Sequence, residues 1–120
     1  MEHVGKPKEG FDSHVNYLYE LLQDFQMNIA VDFDGTYDLE PKLWNQMMAT
    51  FRIHGHKVYL VTARYPDEVD NYILNALLSG RTDGIYYTSK KAKKQYMLDR
   101  GIEIDVWIDD KPKYILEDKA

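Results

Sequence analysis

The sequence predicts an α/β domain built on a parallel β-sheet, and two observations support this fold class. Short apolar runs, each bounded by Gly, Pro or polar turn residues, recur along the chain in the pattern typical of buried strands. Segments with apolar residues at helical spacing alternate with these runs. Strands that alternate with helices are joined by right-handed crossovers, which make neighbouring strands parallel. The predicted strands are residues 28–32, 57–61, 85–87 and 104–108.

The chain begins with a polar segment, residues 1–10, which we expect to be flexible. This segment has neither the apolar stretch nor the small-residue cleavage site of a signal peptide. A helix is predicted over residues 12–25, with Asp12 or Ser13 as its N-cap. The apolar side of this helix comprises Val15, Leu18, Leu22 and Phe25.

Proline and glycine mark the bounds of the next two predicted helices. Pro41 is well placed at the first position of a helix that Gly55 ends, and Pro66 is expected to open the helix that Gly80 ends. The apolar stripe of the first comprises Trp44, Met47, Met48 and Phe51. The residues expected to face inward in the second are Val69, Ile73, Ala76 and Leu77.

Two further helices complete the predicted chain. Ser89 is the predicted cap of a helix that stops near Gly101. Pro112 begins a short last helix that contains Ile115 and Leu116. Each of these helices adjoins the last predicted strand, so the alternation of strand and helix continues to the end of the sequence.

Size and composition place the chain among small globular proteins. At 120 residues and 14.2 kDa it is one domain, long enough for a single core and too short for two. It contains no run of about 18 apolar residues, so no membrane span is expected. The absence of cysteine fits a reducing compartment, and we expect the cytoplasm. A net charge of -5 argues against an extended nucleic-acid-binding surface.

Two carboxylates stand where the first predicted strand ends. Asp32 and Asp34 follow the apolar run Ile29–Val31 directly, and Gly35 comes next. Open α/β sheets bind ligands at the carboxyl ends of their strands. Two acids crowded on such an edge repel each other, which indicates a cation or a reaction that needs them. The alternative is that Asp32 caps a helix and that Asp34 and Gly35 form an ordinary turn.

The segment Asp32-Phe33-Asp34-Gly35-Thr36 resembles the first motif of the haloacid dehalogenase-like phosphohydrolases. Three other segments resemble the remaining motifs of this family and follow in the same order. They are the strand ending at Thr62, the lysine-rich stretch from Ser89 to Lys94, and the strand ending in Asp109 and Asp110. The resemblance covers residues 28–110, which we expect to be the catalytic core of a single domain of this kind over residues 1–120.

This resemblance implies a Rossmann-like sheet in the strand order 3-2-1-4, with helices on both faces. It also implies a Mg²⁺-dependent phosphatase in which Asp32 is the nucleophile and forms an aspartyl-phosphate. Asp34 would protonate the leaving oxygen and then activate the attacking water, and its backbone carbonyl would face the metal. Asp32 and Asp110 are the expected protein ligands of the metal. Asp109 is expected either to lie behind these ligands without binding the metal directly or to bind it in place of Asp110. The Thr62 hydroxyl would bond a phosphate oxygen.

Two basic residues of the motifs are less sharply specified. Arg64 is expected either to form a bidentate pair of hydrogen bonds with a phosphate or to lie exposed to solvent in a loop. Among the lysines we expect Lys93 to offset the carboxylates, because it lies in the first helical turn and shares a face with Met97. Lys91 and Lys94 are the alternatives, and the other lysines are expected to be solvated.

The sequence leaves no room for a cap domain, because one loop and one helix use up the chain between Asp34 and Thr62. An open site favours a phosphorylated polymer end, a phosphoprotein or a nucleotide as substrate, or a second subunit that covers the site. Two other functions compete with the phosphatase. One is a regulatory or interaction module that binds metal with little catalysis. The other is a receiver-like signalling domain, which the Asp32-Phe33-Asp34 spacing disfavours.

Overall fold

The computed structural model of the chain describes residue 15 and residues 25–120. Its core is a four-stranded, all-parallel sheet in the order β3-β2-β1-β4. The strands are β1 (Asn28–Val31), β2 (Lys57–Thr62), β3 (Gly84–Tyr87) and β4 (Val106–Ile108). The predicted α/β fold class and strand order are confirmed. The predicted flexible segment 1–10 and the predicted helix 12–25 lie outside the described residues, apart from positions 15 and 25.

The described helices are α1 (Pro41–Ile53), α2 (Asn71–Leu78), α3 (Lys93–Asp99) and α4 (Lys113–Leu116). A single 3-10 turn (Tyr37–Leu39) joins β1 to α1. Pro41 occupies the first turn of α1, and Gly55 follows its end with a φ of +89°. Both bounds of α1 were predicted. The described chain contains no cap domain, and none of its helices has the length and hydropathy needed to cross a membrane.

Helices cover both faces of the sheet, because the side chains of β2 alternate between two apolar clusters. Val58 and Leu60 are buried on one face and Tyr59 and Val61 on the other. The first face packs against Met48 of α1 and against Leu74 and Leu78 of α2. The second face packs against Met97 of α3. A fully buried side chain of this size stabilises the fold by about 1.5–3 kcal/mol, so the two clusters hold the helices in place.

The register of the central strands brings their carboxyl ends to one level. Val31, the last residue of β1, lies opposite Leu60 of β2 and Ile108 of β4. The Asp32 N–H donates to the Ile108 carbonyl at 2.9 Å, which extends the β1–β4 pairing by one bond. The residues that follow β1 and β4 therefore emerge side by side at the same edge of the sheet.

The prediction for α2 was wrong in both its start and its inward face. The helix begins at Asn71 rather than near Pro66, and Val69 is 92% exposed. The inward residues are Asn71, Leu74 and Leu78, whereas Ile73, Leu77 and the rest of the predicted stripe face outward. The cause is local competition from side chains. The Asn71 amide donates to the Tyr65 and Pro66 carbonyls, and the Glu68 carboxylate accepts from the Tyr65 N–H, so these residues form turns.

The predicted cap of α3 was also wrong. Ser89 and Lys90 both have left-handed backbones, with φ values of 54° and 65°, and α3 begins only at Lys93. The Thr88 hydroxyl donates to the Lys91 carbonyl at 3.0 Å and closes a turn that delays the helix. At its other end α3 stops before Gly101, as predicted, where φ is +77°. Strand β4 is shorter than predicted and starts at Val106.

Candidate active site

Three carboxylates converge where β1 and β4 end. Asp32 follows β1, and Asp109 and Asp110 follow β4, the strand that lies beside β1 in the sheet. Each of the three offers one carboxylate oxygen, and these oxygens lie within 4.8 Å of one another. Asp32 is buried, with 7% of its surface exposed, whereas Asp110 is exposed. The adjacency of β1 and β4 thus creates the cluster.

A buried lysine neutralises part of this cluster. Lys93, the first residue of α3, is 3% exposed. Its Nζ donates to Asp32 Oδ1 at 2.8 Å and to Asp109 Oδ2 at 2.6 Å. Met97, one helical turn along on the same side of α3, is anchored in the core of that face. This anchor aims the Lys93 side chain at the sheet edge.

The other lysines of the stretch lie elsewhere. The Lys91 side chain is 69% exposed and pairs loosely with Asp118 at 3.8 Å. Lys94 is exposed, and the Lys90 ammonium lies 5.9 Å from the centre of the Tyr65 ring. Lys93 is therefore the lysine of this stretch whose ammonium contacts the acidic cluster.

Asp32 carries an unusual proton affinity. Burial raises the pKa of this carboxyl to about 7, against an ordinary value near 3.8. The Lys93 ammonium opposes the rise, while the Asp109 charge and a hydrogen bond with Asp110 add to it. One buried ammonium shared between two carboxylates does not fully offset the cost of burying the Asp32 charge. A second cation at this point would favour the ionised form.

Asp109 and Asp110 have different partners. Asp109 Oδ2 accepts from Lys93, and its Oδ1 accepts from the Lys111 N–H at 2.9 Å. Asp110 has a longer contact, 3.4 Å between its Oδ1 and the Thr36 hydroxyl. Both oxygens of the Asp109 carboxylate thus accept hydrogen bonds from the protein. The Asp110 carboxylate is exposed and its contact with Thr36 is longer, so it is more accessible to an ion. This difference favours Asp110 over Asp109 as a metal ligand.

Thr36 and Gly35 shape the site, although the sequence analysis gave neither a role beyond the motif itself. The buried Thr36 hydroxyl accepts the Asp110 N–H at 3.3 Å and lies 3.5 Å from Asp32 Oδ2, so it ties the β1 and β4 loops together. Gly35 has a φ of +83°, and a Cβ there would overlap the Asp110 carboxylate. Their place in the Asp-x-Asp-Gly-Thr segment was the signal that pointed to them.

Asp34 is held apart from the three converging carboxylates. Arg64 Nε and Nη2 bind its two carboxylate oxygens, each at 2.8 Å. Arg64 Nη1 also contacts Asp70 at 2.7 Å and Asn71 at 3.3 Å, and its guanidinium lies 5.1 Å from the centre of the Phe33 ring. The hydrogen bonds from Arg64 lower the pKa of Asp34.

The bidentate pair of hydrogen bonds between Arg64 and Asp34, called the fork below, rules out both predicted roles of Arg64 in this arrangement. The Arg64 side chain is only 13% exposed, so it is not a solvated loop residue. Its guanidinium is engaged by Asp34, Asp70 and Asn71, so it is not free to fork onto a phosphate in this arrangement. The sequence did not reveal these partners, because Asp34 follows another strand and Asp70 and Asn71 were assigned to a helix.

Thr62 lines the cavity at the end of β2. It is the last residue of β2, is 1% exposed, and its hydroxyl oxygen accepts the Arg64 N–H at 3.4 Å. Together with Ala63 it forms the wall of the cavity on the β2 side. Its place in the cavity lining is compatible with the predicted contact between its hydroxyl and a phosphate oxygen.

These groups surround one small cavity with a volume of about 70 Å³. Pockets that enclose drug-sized ligands are roughly 300–1,000 Å³, so this one accommodates an ion and a head group rather than a whole ligand. Three lining residues that the sequence analysis missed come from the chain after β4: Lys111, Tyr114 and Lys119. The complete lining is Asp32, Asp34, Thr62, Ala63, Lys93, Asp109, Asp110, Lys111, Tyr114 and Lys119.

Comparison with family models, with curated proteins and with solved structures gave no match to this chain. The likeness to the haloacid dehalogenase-like phosphohydrolases therefore rests on the four sequence motifs. The structure adds that the acidic ends of the first and fourth motifs, the threonine of the second and one lysine of the third line the same cavity.

Proposed function

We propose that this protein is a Mg²⁺-dependent phosphomonoester phosphatase of the haloacid dehalogenase-like kind. One observation carries the proposal: the buried Asp32 carboxylate lies at the end of a central strand, bonded to a buried lysine and beside two further carboxylates. Phosphoryl transfer needs a positioned nucleophile and charges that offset the phosphate oxygens. In this proposal the Asp32 carboxylate is the nucleophile and the Lys93 ammonium supplies one of these charges.

The donor set fits Mg²⁺. This ion prefers oxygen ligands and usually binds through one or two carboxylates while keeping several waters. Asp32 and Asp110 would hold it, with the Asp34 backbone carbonyl as a further ligand and Asp109 as the alternative carboxylate. The raised pKa of Asp32 supports the fit, because a second cation would relieve the cost of its buried charge. When bound, Mg²⁺ would neutralise charge on the phosphoryl oxygens.

The cavity charges also favour a phosphate. Four carboxylates line the cavity together with three ammonium groups. With all of them ionised the lining carries one negative charge in excess, so a divalent cation would make the site positive and attractive to an anion. Lys93 would then hold Asp32 in position while facing the phosphoryl group.

In the proposed reaction, an Asp32 oxygen forms a bond to phosphorus while the bond from phosphorus to the leaving oxygen breaks. The leaving oxygen takes a proton from Asp34, which becomes the base for the water of the second step. That water attacks phosphorus, releases inorganic phosphate and restores Asp32. The Thr62 hydroxyl would donate to a phosphoryl oxygen.

Asp34 must part from Arg64 before it can serve as an acid. The fork with Arg64 stabilises the ionised carboxylate, whereas a general acid must carry a proton. We propose that substrate binding opens this fork. The fork is also the observation that favours the second candidate, a regulatory module that binds metal with little catalysis.

The test is Asp32→Asn, assayed for Mg²⁺-dependent hydrolysis of an aryl phosphate. We expect activity to fall to background, because an amide is a poor nucleophile, while circular dichroism stays unchanged. Asp99→Asn is the matched control, since Asp99 is an exposed aspartate at the far end of α3.

Two results separate the candidates. Wild-type protein that binds Mg²⁺ but hydrolyses no phosphomonoester would support the regulatory module. Wild-type activity that survives in Asp32→Asn would remove Asp32 as the nucleophile.

A further inference from the structure

A segment after β4 returns to the cavity and forms part of its wall. We call residues 111–119 the C-terminal arm. The Lys119 N–H donates to the Lys90 carbonyl at 2.7 Å, and the Ala92 N–H donates to Asp118 Oδ1 at 2.8 Å. These two bonds fasten the arm to the loop that leads into α3, next to Lys93.

The arm places three side chains in the cavity wall: Lys111, Tyr114 and Lys119. The Lys119 ammonium lies 5.6 Å from the centre of the Tyr114 ring. Lys119 lines the same cavity of about 70 Å³ as Asp32 and Asp34, so its charge lies close to theirs. A cation and an aromatic ring therefore lie together in the cavity wall.

Lys119 and Lys111 line the cavity without a carboxylate partner within the described residues, and Lys119 is the one of the two whose ammonium lies beside the Tyr114 ring. Lys93 is bonded to Asp32 and Asp109, and the Arg64 guanidinium is bonded to Asp34 and Asp70. No ion pair of the described chain includes Lys119. Its charge is therefore available to a ligand.

The size of the cavity says which part of a ligand Lys119 would meet. A volume of about 70 Å³ holds the phosphoryl group but not the group to which it is esterified. The rest of the substrate must therefore lie outside the cavity, next to the side chains that form its wall, those of the arm among them. Lys119 would then meet the leaving group near its link to the phosphate.

We propose that Lys119 binds a second anionic group on the substrate, so that the site selects phosphomonoesters carrying another phosphate or a carboxylate close to the scissile phosphate. This inference rests on the proposed phosphatase function and names its substrate class. Tyr114 provides the apolar surface against which the connecting atoms lie. The arm would thereby select the substrate, a role that a cap domain would have in a related protein that possesses one.

Three substrates with the same three-carbon leaving group test the proposal: propyl phosphate, 3-phosphonooxypropanoate and propane-1,3-diyl bisphosphate. We expect the wild-type kcat/KM to be roughly tenfold or more higher for at least one of the two charged substrates, mainly through KM. The substrate that gains identifies the second group as carboxylate or phosphate. Lys119→Met should abolish the gain, and Lys94→Met, which removes an exposed charge outside the cavity, should preserve it.

Asp118 provides a positioning test. Asp118→Ala removes the acceptor for the Ala92 N–H and should reduce the gain, whereas Asp118→Asn keeps an acceptor oxygen and should restore it. A gain that Lys119→Met leaves intact, or equal rates for all three wild-type reactions, would overturn the proposal.

Calorimetric binding of the same compounds to Asp32→Asn protein separates this inference from the proposed function. Charged compounds that bind more tightly than propyl phosphate only while Lys119 is present would support the anion site even if no hydrolysis occurs. The absence of hydrolysis would count against the phosphatase alone. Binding that does not depend on Lys119 would reject the anion site, whatever the activity.

Discussion

At the scale of single residues, burial and a neighbouring charge have opposite effects on the pKa of Asp32. Burial favours its neutral form, while the Lys93 ammonium at 2.8 Å favours its ionised form. Burial dominates and raises the pKa to about 7. The proposed nucleophile must be ionised, and a cation bound beside Asp32 would favour its ionised form.

The first prediction concerns the metal-free protein. The folded state holds a proton on Asp32 between about pH 4 and pH 7 that the unfolded chain has lost, so the Asp32 contribution to the free energy of unfolding falls as pH rises through this window. Asp32→Asn cannot titrate. We therefore expect wild-type stability to fall relative to Asp32→Asn by a few kcal/mol across this window, as measured by urea unfolding with a chelator.

Asp32→Glu would serve as the titrating control in the same experiment. If the stability of wild-type protein relative to Asp32→Asn stayed constant or rose with pH, Lys93 rather than burial would dominate the pKa of Asp32. Addition of Mg²⁺ near pH 7.5 should restore the wild-type stability that the ionised Asp32 loses.

At the scale of elements, α3 links the core to the site. Met97 is fully buried against β1 and β2, and Lys93 lies one turn earlier on the same side. Packing of the apolar residue therefore directs the charged one. By contrast, α2 is displaced from its predicted start, because the Arg64, Asn71 and Glu68 side chains bond the preceding turns.

A second prediction follows for α3. Met97→Ala should lower the free energy of unfolding by about 2–5 kcal/mol, because it removes a buried side chain and leaves a cavity. Leu98→Ala is the matched control; Leu98 is 41% exposed and should cost much less. Urea unfolding of both variants measures the difference. Equal losses would show that α3 does not depend on Met97 for its anchorage.

At the scale of the whole molecule, the site is an open edge of the sheet. No cap domain lies in the described chain, and the residues after β4 form the part of the wall that the strand ends do not. An open cavity cannot expel water by closing. We therefore expect low kcat/KM on small generic phosphates, unless a second subunit covers the site in solution; sedimentation would reveal such a subunit.

The third prediction is that Mg²⁺ raises the melting temperature. A ligand that binds only the folded state stabilises it by about 2.7 kcal/mol at a hundred times its Kd, which corresponds to several degrees for a domain of this size. Asp110→Ala should blunt the rise, since it removes a proposed ligand, and Asp67→Ala, at an exposed position, should not. Thermal unfolding with and without millimolar Mg²⁺ measures the effect, and identical curves would argue against a metal site.

The sequence by itself determined the fold class, because hydrophobic periodicity and turn residues are local properties. The strand after Met27, the helix from Pro41 and the stop at Gly55 could be predicted within a residue or so. The same hydrophobic pattern predicted that Asp32 and Asp109 lie at strand ends. It singled out Lys93 through its spacing from Met97, and the structure places that ammonium beside both carboxylates.

Only the tertiary structure decided which groups meet. The pairing of β1 with β4 brings Asp32 to Asp110, and a residue order along the chain does not specify that pairing. The fork between Arg64 and Asp34 joins groups from different strands, and it fixes the charge state of Asp34. Lys119 reaches the cavity because Asp118 bonds the loop before α3. Such contacts depend on the distance between side chains in space, and local sequence patterns carry no information about that distance.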